Sequence, residues 1–475
     1  MLSKKLSNRR HLSIQIPEEF GKSLLNQTVR PQGFSSFKRN IGYYISIITL
    51  AFHPHIHRNA EHPMTDFETF LNLIKCALGT GCLAMPRAYC NAGWLVGLIS
   101  TIVISSFVVY AMHVLLNDIN DLCKRYRIAL LNYSETMQLA VLCGPYWMQP
   151  MSRPFGYMVD LFLCVYHFGV DCVYVVFIAK NLKHLGDMYF ISLDIRLYMA
   201  LLTLPLILTF LIRDLKYLVP FAIISNILII VCFGIVLSYM LGNLPSLQQR
   251  HASQSLTQYP LFFGTVLFAI ESVGVILALQ RNMITPQNYL GPFGVLNRAM
   301  ILVIIFYTLF GFMGYWRYGD NTASSILNNL PLNERLPQCA IVMFALGIFF
   351  SYALQGYVTM DIIWRYYMEP QLKENATRSL EYLVRIALVV ASVLVAIGYP
   401  DFGLLLAFVG SFCLAQLGLI YPGIVHLCVR YEEGYGICKF KLFRSLLFII
   451  VGLFGGIAGS IASVKALTEQ YASLM

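Results

Sequence analysis

The sequence predicts an all-α membrane protein of eleven transmembrane helices, the first and the sixth interrupted near their middles. Three observations carry this. The chain is 57% hydrophobic and only 12% charged, about half the ~25% charged share of a soluble domain. Its apolar residues gather into runs of about 20, the length that crosses a hydrocarbon core at ~1.5 Å per residue. In lipid every backbone N–H and C=O must be bonded within its own segment, so such runs read as helices.

The elements follow in chain order. Residues 1–66 form a polar, basic leader, expected to be cytosolic and disordered, whose one apolar stretch, Gly42 to Phe52, is too short to span. About forty mostly polar residues precede that stretch, which argues against a signal peptide. A membrane domain is expected over 67–470, with spans near 68–88, 93–116, 156–181, 195–212, 217–241, 260–280, 294–316, 336–359, 381–398, 402–428 and 443–465. The first is the least apolar, because Asn72, Lys75 and the triplet Gly79–Thr80–Gly81 interrupt it.

Charge sets the expected orientation. Lys4, Lys5, Arg9, Arg10, Lys22, Lys38 and Arg39 lie in the leader; Lys124, Arg125, Arg127 and Arg153 lie between the second and third spans; Arg430, Lys439, Lys441 and Arg444 lie between the tenth and eleventh. With an odd number of spans these segments share one side, and the positive-inside rule makes that side the cytosol. The sequons at Asn26, Asn132 and Asn375 then also fall in the cytosol and are expected to be unglycosylated.

Composition also excludes several function classes. A net charge of +10 without a basic block interleaved with aromatics excludes nucleic acid as a partner. The 12 cysteines show no CxxC pair, and Cys82, Cys164, Cys172, Cys232 and Cys413 sit inside apolar runs, where a thiol packs as a small hydrophobe. No metal or cofactor is expected, and the alternating His53, His55, His57 and His62 read as solvated. The absence of a Ser/His/Asp set, an HExxH motif and a phosphate loop argues against an enzyme.

The two interrupted spans point to a site. Gly79, Thr80 and Gly81 sit mid-span in the first, and Glu271, Ser272 and Gly274 in the sixth. If spans 1–5 and 6–10 are inverted repeats, these are corresponding members, and paired breaks of this kind mark a binding site at the midplane. A half-helix N-terminus presents free N–H groups and a positive dipole end to a carboxylate. Carbonyls freed at the facing break can accept from an ammonium, so the pair suits a zwitterion. Close helix packing would account for the GTG triplet alone.

Further polar residues lie within spans. Asp160, His167, Asp171 and Tyr174 follow at offsets of 7, 4 and 3, on one face of the third helix. His167 and Asp171 are one turn apart and could pair, either to hold a proton or simply to satisfy each other. Glu271 has no Lys or Arg within a turn and is a coupling or gating candidate, with bracing of the broken helix as the rival. Lys75 is expected in a structural ion pair or a cytoplasmic-side gate.

The stretches EHPMTDFETFLNLIKCALGTGCLAMPRAYCNAGW, YPLFFGTVLFAIESVGVILALQRNM and GIFFSYALQGYV resemble, in this order, those of the proton-assisted amino acid transporters (the PAT family), within the amino acid/auxin permease group. The resemblance runs from about His62 to near the C-terminus. It implies a LeuT-like 5+5 inverted repeat with broken helices 1 and 6 plus one extra C-terminal helix. It also implies small or neutral amino acid substrates, often moved with protons, at plasma or lysosomal membranes. By motif, Gly79, Thr80 and Gly81 would meet the substrate carboxylate, and Phe268, Ala269, Ile270, Glu271 and Ser272 its amino group and side chain. Three departures stand out. Asn72 occupies the place where many members carry a histidine tied to proton coupling. Ala278 to Asn282 replaces a proline–leucine–glutamate–asparagine ending, and the outer-loop cysteines of vertebrate members have no counterpart. The expected function is secondary-active or facilitative amino acid transport; the alternative is a nutrient sensor whose basic leader binds a signalling partner. EEFGKSLL resembles an acidic dileucine sorting signal with one spacer too many, a hint of the lysosome.

Overall fold

The computed structural model describes residues 63–189, 192–213, 215–242, 244–270, 273–372, 377–436 and 439–472. The leader, the histidine run, Asn26, Asn375, Glu271 and Ser272 therefore lie outside the described residues. Among the described residues the chain is helical, with a single isolated bridge between Met64 and Met283.

The helices are α1 (Asp66–Ala77), α2 (Thr80–Ala92), α3 (Trp94–Tyr126), α4 (Tyr133–Cys143), α5 (Ser152–Tyr189), α6 (Ile195–Phe210), α7 (Leu215–Met240), α8 (Tyr259–Ile270), α9 (Val273–Asn282), α10 (Val295–Tyr318), α11 (Arg335–Met360), α12 (Thr377–Gly398), α13 (Phe402–Val429) and α14 (Phe440–Ala472). Nine helical stretches are long and apolar enough to cross a membrane, and the bent pair α1–α2 makes up to ten. The fourth expected span, near 195–212, is α6, which has only 16 residues, about 24 Å of helix, so length alone does not establish it as a crossing.

Large apolar side chains stay exposed along whole helix faces, as at Ile223, Ile227 and Ile230 of α7 and Phe454, Ile457 and Ile461 of α14. Such faces are tolerated where lipid, not water, is the surrounding solvent. Several helices outrun the expected spans: α5 reaches Tyr189, and π-helical turns carry α11 on through Met368. Ion pairs one turn apart, Lys183–Asp187 at 2.8 Å and Asp361–Arg365 at 3.1 Å, support these extensions. Helix α4 was not among the expected elements, although its Asn132/Glu135 capping box is written in the sequence.

Helix α8 forms the centre. Every residue from Phe262 to Ile270 is buried, and the helix packs on α2, α13 and α14. Its approach to α13 depends on Gly264, where an added Cβ would lie 2.3 Å from the Ala407 carbonyl oxygen. Between helices in lipid, where no hydrophobic force draws them together, such small residues let backbones approach closely. A second group packs around α11, which runs against α5 and α7, with α12 against α6 and α5.

Candidate functional site

The first span breaks where its sequence loses helix-forming order. A Thr65/Glu68 capping box starts α1, and the helix ends at Ala77; Leu78 (φ −77°, ψ 87°) and the extended Gly79 then separate it from α2. The two segments meet at a 52° bend. The carbonyl of Ala77, freed by the break, accepts from the buried Tyr307 hydroxyl of α10. At the start of α2, as at any helix start, the first N–H groups lack partners inside the helix. Thr80 and Gly81, which carry two of them, are buried.

Gly79 and Gly81 differ in surroundings. A Cβ at Gly79 would meet nothing within 4 Å, whereas one at Gly81 would lie 2.7 Å from the Cα of Ala269. The first break thus stands against the end of α8, where Phe268, Ala269 and Ile270 are buried. The structure brings Gly81 of the first break against Ala269 of α8; α8 and α9 flank the undescribed Glu271 and Ser272.

The third-span stripe faces α11 and its continuation. The Tyr367 hydroxyl donates to Asp160 at 2.7 Å. The Gln355 amide lies 2.8 Å from His167 Nδ1, so the imidazole is matched across the interface rather than along its own helix. The pair that His167 and Asp171 could have formed is not among the hydrogen bonds of the described residues, where His167 meets Gln355 of the facing helix instead. Asp171 is 5% exposed, and its Oδ1 has no hydrogen-bond partner among the described residues. Tyr174, one turn further on, is half-buried. Sequence reasoning missed Gln355 and its neighbour Gly356, although both lie in GIFFSYALQGYV.

The remaining candidates lie on the first span, where Cys76, beside Lys75, is within electrostatic reach of Tyr174. Asn72 is half-buried, with its amide 3.2 Å from Met64 Sδ. Lys75 is exposed and, among the described residues, forms no ion pair. The expected structural pair is not formed among the described residues. No group of three potential metal ligands occurs among the described residues.

The α1–α2 segment is also latched to the chain after α9. Met64 exchanges backbone hydrogen bonds with Asn282 and Ile284 at 2.7 and 2.8 Å, and Thr285 and Asn288 both donate to Asp66. The partners of the two interrupted spans are therefore joined at one end of the molecule as well as at the break.

Comparison with known proteins gives the family. The family model described as transmembrane amino acid transporter protein matches residues 62–465. The proton-coupled amino acid transporter-like protein pathetic of Drosophila melanogaster is 33% identical over 426 residues, covering 89% of each chain. The probable amino acid transporter skat-1 of Caenorhabditis elegans is 23% identical over 422 residues, covering 86% of this chain and 91% of its own. With the family match spanning nearly all of the helical region, the chain belongs to the transmembrane amino acid transporter family.

Proposed function

We propose that this chain carries small neutral amino acids across a membrane through a site between the α1–α2 break and the end of α8. The observation that carries this reading is the meeting of Gly81 with Ala269, which sets a bare helix N-terminus beside the other interrupted span. The N-terminal end of α2 would take the substrate carboxylate at Gly79, Thr80 and Gly81. The amino group and side chain would face Phe268 to Ser272. Of these positions the described ones are uncharged, which suits a side chain that is itself uncharged. Domain boundaries near residue 66, a cytosolic N-terminus, and residence in the plasma or a lysosomal or endosomal membrane belong to the same proposal. The name of the Drosophila relative supports protons as co-substrate.

The test is uptake of a panel of radiolabelled amino acids into proteoliposomes holding the full chain. Saturable entry of small neutral members, competed by one another and not by lysine or glutamate, is expected. Failure to move any of the panel, or a preference for charged members, would sink the reading.

A further inference from the structure

Among the described residues of the membrane interior, Asp171 stands out. It is the 20th of the 38 residues of α5, close to the helix midpoint, and it is buried. Among the described residues its Oδ1 finds no hydrogen-bond donor and the carboxyl joins no ion pair. A carboxylate in such a place is costly unless it is neutralised, and ionisable groups at this depth are kept where charge must move.

The neighbours show what could neutralise it. On its own helix, His167 lies one turn before and is matched with Gln355, and Tyr174 lies one turn after. Cys172 is adjacent and buried. On α11, Tyr352 is within electrostatic reach, its hydroxyl paired with Ser392 of α12 at 2.7 Å. Gly356 leaves the space the carboxyl occupies, since a Cβ there would lie 2.7 Å from Asp171 Oδ2 and 2.4 Å from the Phe210 ring that ends α6. Beyond that ring stands Arg385 of α12, but its nitrogens bond Glu381 and the carbonyls of Phe210 and Ile212. Aromatic and backbone surfaces thus close around Asp171, and the guanidinium on this side is already committed.

We infer that Asp171 is the group that takes up and releases the coupling proton during transport. This rests on the transport reading above. In the packed seam of α5 on α11 the proton sits on the carboxyl and no charge is stranded. When it leaves, the carboxylate needs water, and the arrangement in which α5 and α11 part at Gly356 gains population. One proton binds to a carboxylate oxygen from one side of the membrane and departs to the other; no other bond is made or broken. Asn72 cannot take a proton, so the first span does not supply this group at that position.

The experiment uses proteoliposomes of the full chain with an internal pH dye and labelled alanine. It compares wild type with Asp171→Asn, Asp171→Glu, His167→Gln and Glu271→Gln. For wild type, each pH unit of gradient can drive up to about tenfold accumulation per coupled proton. Asp171→Asn should bring the ratio of uptake at mildly acidic to neutral outside pH down to about one. It should also abolish alanine-driven proton entry, while counterflow exchange stays measurable. Asp171→Glu should keep proton entry with a displaced pH profile, and His167→Gln should keep proton entry. Unchanged acid stimulation in Asp171→Asn would overturn the proposal. So would loss of proton entry in Glu271→Gln alone, or a raised KM in Asp171→Asn with proton entry intact, which would give Asp171 to the substrate ammonium instead. Should Asp171→Asn fail to fold, an unchanged pH profile in Asp171→Glu is the overturning result. Wild-type exchange without proton entry defeats this proposal and spares the transport reading; no exchange at all defeats both.

Discussion

A methyl group added at Gly79 meets nothing within 4 Å, whereas one added at Gly81 falls 2.7 Å from the backbone of Ala269. The two substitutions therefore separate site from scaffold. Gly79→Ala is compatible with its extended φ of −138° and should leave the folded protein intact. The new methyl would project into the space where substrate is proposed to sit, raising KM about threefold or more at little cost in expression. Gly81→Ala forces two backbones apart and should cost about 1–3 kcal/mol of stability by overpacking. It would show as a lowered thermal midpoint in detergent, whatever the uptake. Equal loss of folded protein in both variants would contradict the distinction. The GTG triplet was legible in the sequence as an interruption. Which of its glycines is packed was not, because Ala269 lies far along the chain. The same limit hid Gln355: His167 and Asp171 read as a pair on one helix until a facing helix supplied a partner.

At the level of elements, one polar knot ties the ends of α6 and α12. Glu381 lies 2.6 Å from Arg213 and 3.1 Å from Arg385, whose guanidinium also donates to the carbonyl of Phe210 at 3.0 Å. These donors cap backbone acceptors left over where α6 ends. The Glu381 and Arg385 side chains are 6% and 5% exposed, so removing Glu381 strands the charge of Arg385, whereas Glu381 without Arg385 would keep Arg213. Glu381→Ala should destabilise by about 3–5 kcal/mol, while the joint change Glu381→Leu with Arg385→Met should cost far less. Thermal unfolding in detergent would read both; a double variant as weak as the single one would refute the account. A one-turn Glu–Arg pair is visible in sequence. That it closes over the end of α6 is not, since only the fold brings residue 213 to residue 381. Span lengths were under-read for a related reason: hydropathy marks where lipid stops, and these helices continue past it on side-chain pairing.

At the scale of the whole molecule the topology turns on α6. Among the described residues nine long stretches and one bent pair make up to ten candidate crossings, and α6 decides whether the number is odd. Its 16 residues fall short of a full span, yet its outer face argues for crossing. Leu197, Leu201, Leu204 and Leu208 are all exposed and follow at the three- and four-residue spacing of one helix face. The opposite side packs on α12 and α5. Asp194 caps its start and Arg213 follows its end, so polar anchors bracket the segment, and a short span is accommodated by local thinning of the bilayer. The basic loops give the same answer independently. Arg125 and Arg430, which both bond Glu433 at 2.5 and 2.7 Å, must lie on one side of the membrane. Eight crossings between their segments satisfy that, and seven do not. The expected outcome is that tags at the N- and C-termini of the full chain are reached from opposite faces of the membrane in intact and permeabilised cells. Labelling of both from one face would mean that α6 dips in without crossing.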